Sequence, residues 1–499
     1  MTLLFTNEES LWGRISIEQT SIKKINVAQS RYIYKDGQTS FPRPTVGISE
    51  NGPYDYNTSN NSLKRPFQAI KILPFVPVGT KNVYENLTKL LEYLISGYYE
   101  ERKGPYGKSY DIVFGGLKKE FRLTNILIDN YVEYSPGRLS ETLDKTDFNV
   151  EELRKQKIIP IAIVGGTSHK SYRNDREIYL EVKREFIKKD IPSQFASWYE
   201  PEGSNKLGIL PATQNGASFG YTLWNFAISI YGKCGGIPWT ILQSKNSRGD
   251  ALVDLTLGMR FSYDHKEAGE KYYIGQATVF DHYGKCIASF TSDMFSIPFH
   301  QFKSEGMVVP TNIMNSIVRN SIRITKEHPT VSGLYSKKES LSLAIHRQSL
   351  FHNEEIIGIE SAISEQKDYS SIRYGLIGIS PEPYVMIVPE KTGNQVGECV
   401  ILSKNTALAY TTRPMIGQPI AYPILIMAQN LGNKENPFSD MSEVCQHVID
   451  LTGLHWQTAN SNTVQMPATL QFAAEISKNQ SRGIYPTQNS WLKSTNWFL

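Results

Sequence analysis

The stretch IIPIAIVGGTSHKSYRNDREIYLEVKREFIKKDIPSQ, residues 158–194, decides the architecture. Its first nine residues are a continuous apolar run closed by two glycines, as expected of a strand buried on both faces of a parallel sheet. After a polar loop, Ile178, Val182 and Phe186 recur at intervals of four, the stripe of an amphipathic helix. Lys188, Lys189 and Asp190 then lead into Pro192, which ends that helix. Strand, loop and helix make a βα unit, and such units bind ligands beyond the carboxyl end of the strand, where helix N-termini offer free N–H groups to anions.

Outward from this unit the chain reads as a soluble α/β protein of two domains. Its 499 residues are 40% hydrophobic and 20% charged, and a formal net charge of +4 permits a nucleic-acid partner without demanding one. Cys234, Cys286, Cys399 and Cys445 are far apart, which fits reduced thiols in the cytoplasm and argues against a structural zinc site. The N-terminus lacks the basic region and apolar core of a signal peptide, and no run reaches the roughly 18 to 20 apolar residues of a membrane span.

Residues 41–66 are dense in Pro, Gly, Asn and Ser and predict a loop, with a turn at Asn51-Gly52. Val83, Leu87, Leu90, Leu91 and Leu94 predict a helix ending at a left-handed Gly97, and a second helix is expected over 218–233, stopped by Gly235 and Gly236. In the second half, ALVDLTLGMRFS, YYIGQATVFDHYGKCIASF and LSLAIHRQ predict strands, with DHYGK as a hairpin turn and a helix over 311–325. This alternation suggests a mixed sheet with helices on its faces.

Tyr179 and Lys183 share a helix face, and Gln194 lies just past the exit turn. By itself this also fits a solvated basic face with a packed tyrosine. Lys233, in the last turn before Gly235-Gly236, also fits a lysine complementing the helix dipole.

Taken together, the two segments resemble the MID domain of the argonaute family. Its 5′-phosphate pocket uses a Tyr, a Lys four residues on, a later Gln, and a Lys just before a Gly-Gly. Tyr179, Lys183, Gln194 and Lys233 match these in order, and CGGIPW resembles the segment that follows. Many relatives carry a further lysine where this chain has Ser229. The physical chemistry agrees with the implied role, because ammonium and amide donors make charge-assisted hydrogen bonds to a terminal phosphate of about −1.5 to −2 charges. The resemblance also implies that the carboxylate of Leu499 reaches this pocket and helps hold Mg2+; the alternative is a C-terminal segment merely tucked into the core.

The second half resembles the PIWI domain, an RNase H-like fold in which separated carboxylates bind two divalent ions in slicing members. Arg260 stands where a G-x-D pattern has its acid, and Gln348 where an h-R-D-G pattern has another. Neither residue holds Mg2+. Asp254, Asp264 and Glu354 are the neighbouring acids, but Asp254 is about 20 Å along the strand from Arg260, too far for one metal cluster. Arg413, in TTRPMIGQPI, resembles a backbone contact before the family's last ligand, and equally fits a loop-anchoring arginine.

GPYD at 52–55 resembles the segment ahead of MID in prokaryotic members, and the chain ahead of Ile158 is too short for complete N and PAZ domains. The resemblance therefore implies a short prokaryotic argonaute: an N-terminal extension at 1–60, a Rossmann-like MID domain with a parallel sheet at 61–248, and an inactive RNase H-like PIWI domain with a mixed sheet at 249–499. It implies a guide RNA with a 5′-phosphate, a single-stranded DNA target, and an APAZ-domain partner carrying a TIR, sirtuin-like or nuclease effector for abortive defence against plasmids or phage. Two alternatives stay open. One is a slicing argonaute with displaced carboxylates. The other is a nucleotide-binding protein, although Gly165-Gly166-Thr167-Ser168 lacks the glycine-rich phosphate signatures.

Overall fold

The computed structural model describes the chain except for residues 1, 6–22, 27–31, 36–38, 41–43, 57–63, 104–108, 136, 147, 169–175, 199–218, 242–250, 268–269, 299–306, 328–331, 336–337, 382–384, 389–395, 413–420, 457–464 and 488–489. Two compact units interleave along it. One comprises residues 34–239, 456–459 and 482–499; the other comprises 1–33, 240–455 and 460–481. The last residues thus belong with the first half of the chain, and the first residues with the second half, unlike the consecutive division expected from the sequence. Among the described residues no helix is long and apolar enough to cross a membrane.

The first unit is built on five parallel strands. β1 (Ala69–Pro77) pairs with β2 (Asn125–Ile128) and β3 (Val132–Tyr134) on one side and with β4 (Ile158–Ser168) on the other. β4 in turn pairs with β5 (Ser193–Trp198). The apolar run at 158–166 is the centre of this sheet, and Ile161, Ala162, Ile163 and Val164 are fully buried, which is why the strand shows no polar alternation. Helix α1 (Lys81–Ser96) buries all five residues of its predicted stripe. Its terminal glycine differs from expectation: Gly97 has φ +94° and ψ 173°, outside the left-handed helical well. Glycine is required there for a second reason, since a Cβ would stand 2.6 Å from the Phe114 carbonyl oxygen.

Helix α2 (Arg176–Lys188) packs Val182 and Phe186 against Phe75, Val164 and Ile191. Two residues past its end, Asp190 takes φ +58°, a conformation that a short Asx side chain tolerates. The amide of Ile191 then returns to the Phe186 carbonyl, and the chain turns directly into β5. Helix α3 (Phe219–Lys233) follows and is buried over most of its length. Within the predicted loop 41–66 the structure has a helix at Pro44–Asn51. Pro44 opens it, where a missing N–H is harmless, and the turn at Gly52 closes it with an amide bond to Ile48.

The second unit centres on a ten-stranded mixed sheet. β6 (Leu255–Glu267) runs antiparallel to β7 (Glu270–Asp281), which pairs with β8 (Cys286–Thr291) through the DHYGK turn. Asp281 fixes this turn by accepting from the amides of Tyr283 and Lys285. Helix α4 (Thr311–Glu327) leads to β9 (Ser340–Arg347), parallel to β6, and helix α5 (Asn353–Ser364) leads to β10 (Ser371–Ser380), parallel to β9. Antiparallel β11 (Glu398–Ser403), β12 (Thr406–Ala409) and β13 (Ile424–Ala428) extend the sheet. Helices α6 (Met441–Thr452) and α7 (Ala468–Gln480) complete the unit. Leu255, Leu257 and Met259 pack with Ile313, Ile317 and Ile359 of α4 and α5, while Ala407, Ile426, Val444 and Leu470 form a second cluster.

Beside Gln348, Arg347 is a core residue. Its buried guanidinium pairs with Glu355, which also accepts from the amides of Val309 and His352. Removing one partner of such a pair leaves an uncompensated buried charge. Glu355→Ala is therefore expected to lower this unit's unfolding free energy by about 3 to 5 kcal/mol in urea titration, and Arg347→Met with Glu355→Leu by much less. A single-variant loss under about 1 kcal/mol would contradict the pairing, because that is the worth of an exposed ion pair.

Candidate nucleic-acid interface

Three elements of the first unit bring the predicted pocket residues together. Tyr179 and Lys183 sit one turn apart on α2, and the Lys183 ammonium lies 3.4 Å from the Tyr179 hydroxyl. The exit turn at Asp190 places Gln194 in β5, opposite Ile163 of the central strand. Lys233, in the last turn of α3, donates to the Ser193 carbonyl at 3.0 Å and to Oε1 of Gln194. The Ser229 hydroxyl donates to the same amide oxygen at 3.2 Å. Serine in place of a further lysine thus orients Gln194, turning its amide nitrogen away from the two donors.

Charge makes this cluster unusual. Lys183 and Lys233 are 4% and 2% exposed, and among the described residues neither has a carboxylate partner. Burial, then the nearby charge of Lys183, hold the Lys233 ammonium well below the usual lysine range. Tyr179 is half-buried with its ring edge-on to Phe195 at 5.1 Å. The arrangement is a buried pair of lysines whose partners are neutral oxygens.

The end of α3 is fixed by residues that the sequence did not single out for this purpose. Asp55, in GPYD, is buried and accepts from the Tyr231 hydroxyl and the Ile237 amide, at 3.0 Å for the latter. Arg65 adds bonds to the carbonyls of Phe67 and Phe121, and its guanidinium reaches the Tyr231 hydroxyl. A Cβ on Gly236 would stand 2.3 Å from the Tyr231 ring, so the second glycine makes room for this tyrosine as well as ending the helix. The signal available for Asp55 was the GPYD resemblance; Tyr231, inside the largely apolar NFAISIYGKCGG, had none of its own.

Leu499 lies in the same unit. The Asn496 amide reaches the Gly232 carbonyl at 3.4 Å, and Leu499 Cδ1 would be 3.0 Å from a Cβ on Gly232, one residue before Lys233. Arg413 lies outside the described residues.

In the other unit, Arg260 lies in β6 and Gln348 directly follows the end of the neighbouring strand β9. β6 and β9 pair in parallel at Gly258 with His346 and Met259 with Arg347, so Arg260 and Gln348 are each the next residue along. Asp254 is committed elsewhere, holding Lys338 and the Ser342 amide, and Glu354 is exposed. The side chain of Asp264 lies outside the described ones. Among the described residues no group of three or more His, Cys, Asp or Glu stands together as a metal site.

No protein-family model matches the chain, and no curated protein matches it. Solved structures of Argonaute proteins share its fold. Argonaute of Clostridium butyricum, solved with a guide DNA and a 19-mer target DNA, superposes with a TM-score of 0.61 at 18% identity, over 97% of this chain and 56% of that one. Aquifex aeolicus Argonaute gives 0.57 at 15% identity over 96% and 55%. The same protein with externally bound siRNA gives 0.56 at 16% over 95% and 56%. The fold is thus argonaute-like, of the MID and PIWI kind, and the chain spans little more than half the length of these proteins.

At the level of Gly258 lies a histidine pair, His346 buried and His447 half-buried. His346 bonds the Thr469 hydroxyl at 3.0 Å, His447 bonds the Thr256 hydroxyl at 3.3 Å, and their ring centroids are 5.3 Å apart. Burial holds His346 well below the usual imidazole range and His447 at about 3. Both are neutral when folded, so their contribution is fully present above about pH 6.5, the unfolded value, and is lost as pH falls toward the folded values. Stability is expected to decline below about pH 6.5, each histidine contributing up to about 1.4 kcal/mol per pH unit. Urea midpoints of a His346→Gln, His447→Gln variant should show a shallower decline, and an unchanged slope would contradict the assignment.

Proposed function

We propose that this chain is the guide-binding subunit of a prokaryotic defence complex, and that the cationic recess of Tyr179, Lys183, Gln194 and Lys233 receives the 5′-phosphate of a short guide RNA. The observation that carries this reading is the pair of buried lysines without a carboxylate. A phosphate supplies the missing charge and accepts from both ammoniums, while the Tyr179 ring offers a surface for the first base, a stacking worth roughly 1 to 3 kcal/mol. The argonaute-like fold supports guide binding as the general role, since a neighbour of that fold was solved with a guide and a target strand.

Mg2+ is the cofactor that belongs to this reading. Asn496 Oδ1 is a buried oxygen without a hydrogen-bond partner among the described residues, and the carboxylate of Leu499 lies three residues on. Oxygen donors of this type suit Mg2+, which takes its remaining positions from phosphate and water. When bound, the ion would neutralise part of the phosphate charge.

The reading extends to the rest of the complex. A loaded guide would pair with single-stranded DNA, and the nuclease centre is inactive because Arg260 and Gln348 stand where carboxylates would hold metal. The response then belongs to a partner protein with an APAZ domain and a TIR, sirtuin-like or nuclease effector, acting in the cytoplasm against plasmids or phage. Incubation with guide, complementary target and Mg2+ or Mn2+ is expected to leave the target intact; cleavage at one position opposite the guide would overturn the inactive assignment.

The recess is tested by Lys183→Ala with Lys233→Ala. Two charge-assisted hydrogen bonds are worth roughly 3 to 6 kcal/mol, so affinity for a 5′-phosphorylated RNA should fall about a hundredfold or more. Affinity for the 5′-hydroxyl RNA should change only slightly. Equal losses for both would contradict a phosphate site.

A further inference from the structure

Under α7, the second unit carries a polar patch that the proposed guide pocket does not use. Along β6, Leu255, Leu257, Met259 and Phe261 enter one apolar cluster, so Thr256, Gly258, Arg260 and Ser262 share the other face. Two contacts fix α7 on that face. A Cβ on Gly258 would stand 2.3 Å from the Thr469 carbonyl oxygen, and the Ser262 hydroxyl bonds the Ser477 hydroxyl. Arg260 lies between these two points and is half-buried.

Its directly paired neighbour on β7 is Gln276, 1% exposed. Gln276 Oε1 accepts from the Thr291 hydroxyl at 3.2 Å, and Thr291 accepts from the Gln480 amide. That chain of bonds leaves Gln276 Nε2 with no partner among the described residues, although it is buried. Among the described residues Arg260 likewise has no hydrogen bond and no ion pair, and burial alone pulls its guanidinium below the usual range. Directly opposed residues have Cβ atoms about 4.5 to 5.5 Å apart, so Arg260 and Gln276 stand side by side on one face of the sheet, and among the described residues neither the guanidinium nor the amide nitrogen has an acceptor. An unpaired, partly desolvated cation is unfavourable, and an anion placed against it would relieve that cost.

We propose that Arg260, backed by Gln276, binds a nucleic-acid backbone phosphate, so that the face which holds metal ions in a nuclease is here a cationic anchor for the phosphodiester chain. This rests on the reading of the protein as a nucleic-acid binder. The phosphate comes either from the guide itself or from a strand paired to it. A guanidinium matches phosphate oxygens in a planar fork, and the Gln276 amide adds a neutral donor to the same anion.

The test is Arg260→Gln, with Arg260→Lys as the charge-retaining control. Thermal melting of the ligand-free Arg260→Gln protein is expected at or above the wild-type temperature, because an uncompensated cation has been removed. Binding is measured in two arms across a salt series: a 5′-phosphorylated RNA alone, and a complementary DNA added to RNA-loaded protein. In one arm Arg260→Gln should weaken binding about tenfold and reduce the slope of log K against log salt by about 1, while Arg260→Lys keeps the slope. The arm that responds identifies the strand. Unchanged affinity and slope in both arms would overturn the proposal, as would a melting temperature several degrees lower, the mark of a structural arginine. The pocket reading fails separately, if wild-type protein binds 5′-phosphate and 5′-hydroxyl RNA alike, because the salt slope is read with either end.

Discussion

An ammonium buried without a carboxylate is unfavourable in a folded protein, and the first unit holds two of them together at Lys183 and Lys233. The rest of that unit makes this arrangement possible. Lys233 survives burial because the Ser193 carbonyl and the Gln194 amide oxygen accept from it, and both belong to the first two residues of β5. Those two residues lie there because Asp190 turns the chain out of α2 and because β5 pairs in register with the apolar strand at Ile163. The neutral acceptors satisfy geometry without cancelling charge, so the recess keeps its appetite for an anion.

Precision at such a site comes from what lies behind it. The last turn of α3 is pinned from one side by Asp55 and Arg65 through Tyr231, and from the other by Asn496 and Leu499 against Gly232. Segments from the beginning and end of the chain therefore converge on one helical turn. The second unit repeats the theme in another form. A polar face runs under α7 from His346 to Ser262, and Arg260 stands along it between Gly258 and Ser262.

What was legible in the sequence followed local periodicity. The run at 158–166 was an unbroken apolar stretch of strand length, the stripe of α1 and the face of α2 had the 3.6 period, and the DHYGK turn had a glycine where the turn requires one. The four residues that the structure brings together were singled out through their order and spacing, which only resemblance made meaningful. The counter-bonds were hidden, because Ser193 acts through its carbonyl, which any residue would supply, and Asp55 meets Tyr231 across 176 positions. The helix at 44–51 was masked by Pro and Gly, whose usual breaking role is reversed at its first position and at its cap. The interleaving of the two units, with residues 482–499 joining the first half, left no local signature at all.

The most direct measurement of the central claim is proton uptake on binding. Burial and the nearby Lys183 hold the Lys233 ammonium below its ordinary range in the free protein, and a phosphate beside it should raise it again. Above about pH 7.5 a terminal phosphate is already largely dianionic, its second pKa being about 6, so protons taken up across the alkaline range come from the protein. Calorimetric titration with 5′-phosphorylated RNA, in buffers of differing ionisation enthalpy, is predicted to show net proton uptake and an affinity that falls as pH rises, with neither effect for 5′-hydroxyl RNA. The same heat in every buffer, or equal uptake with both RNAs, would contradict the account.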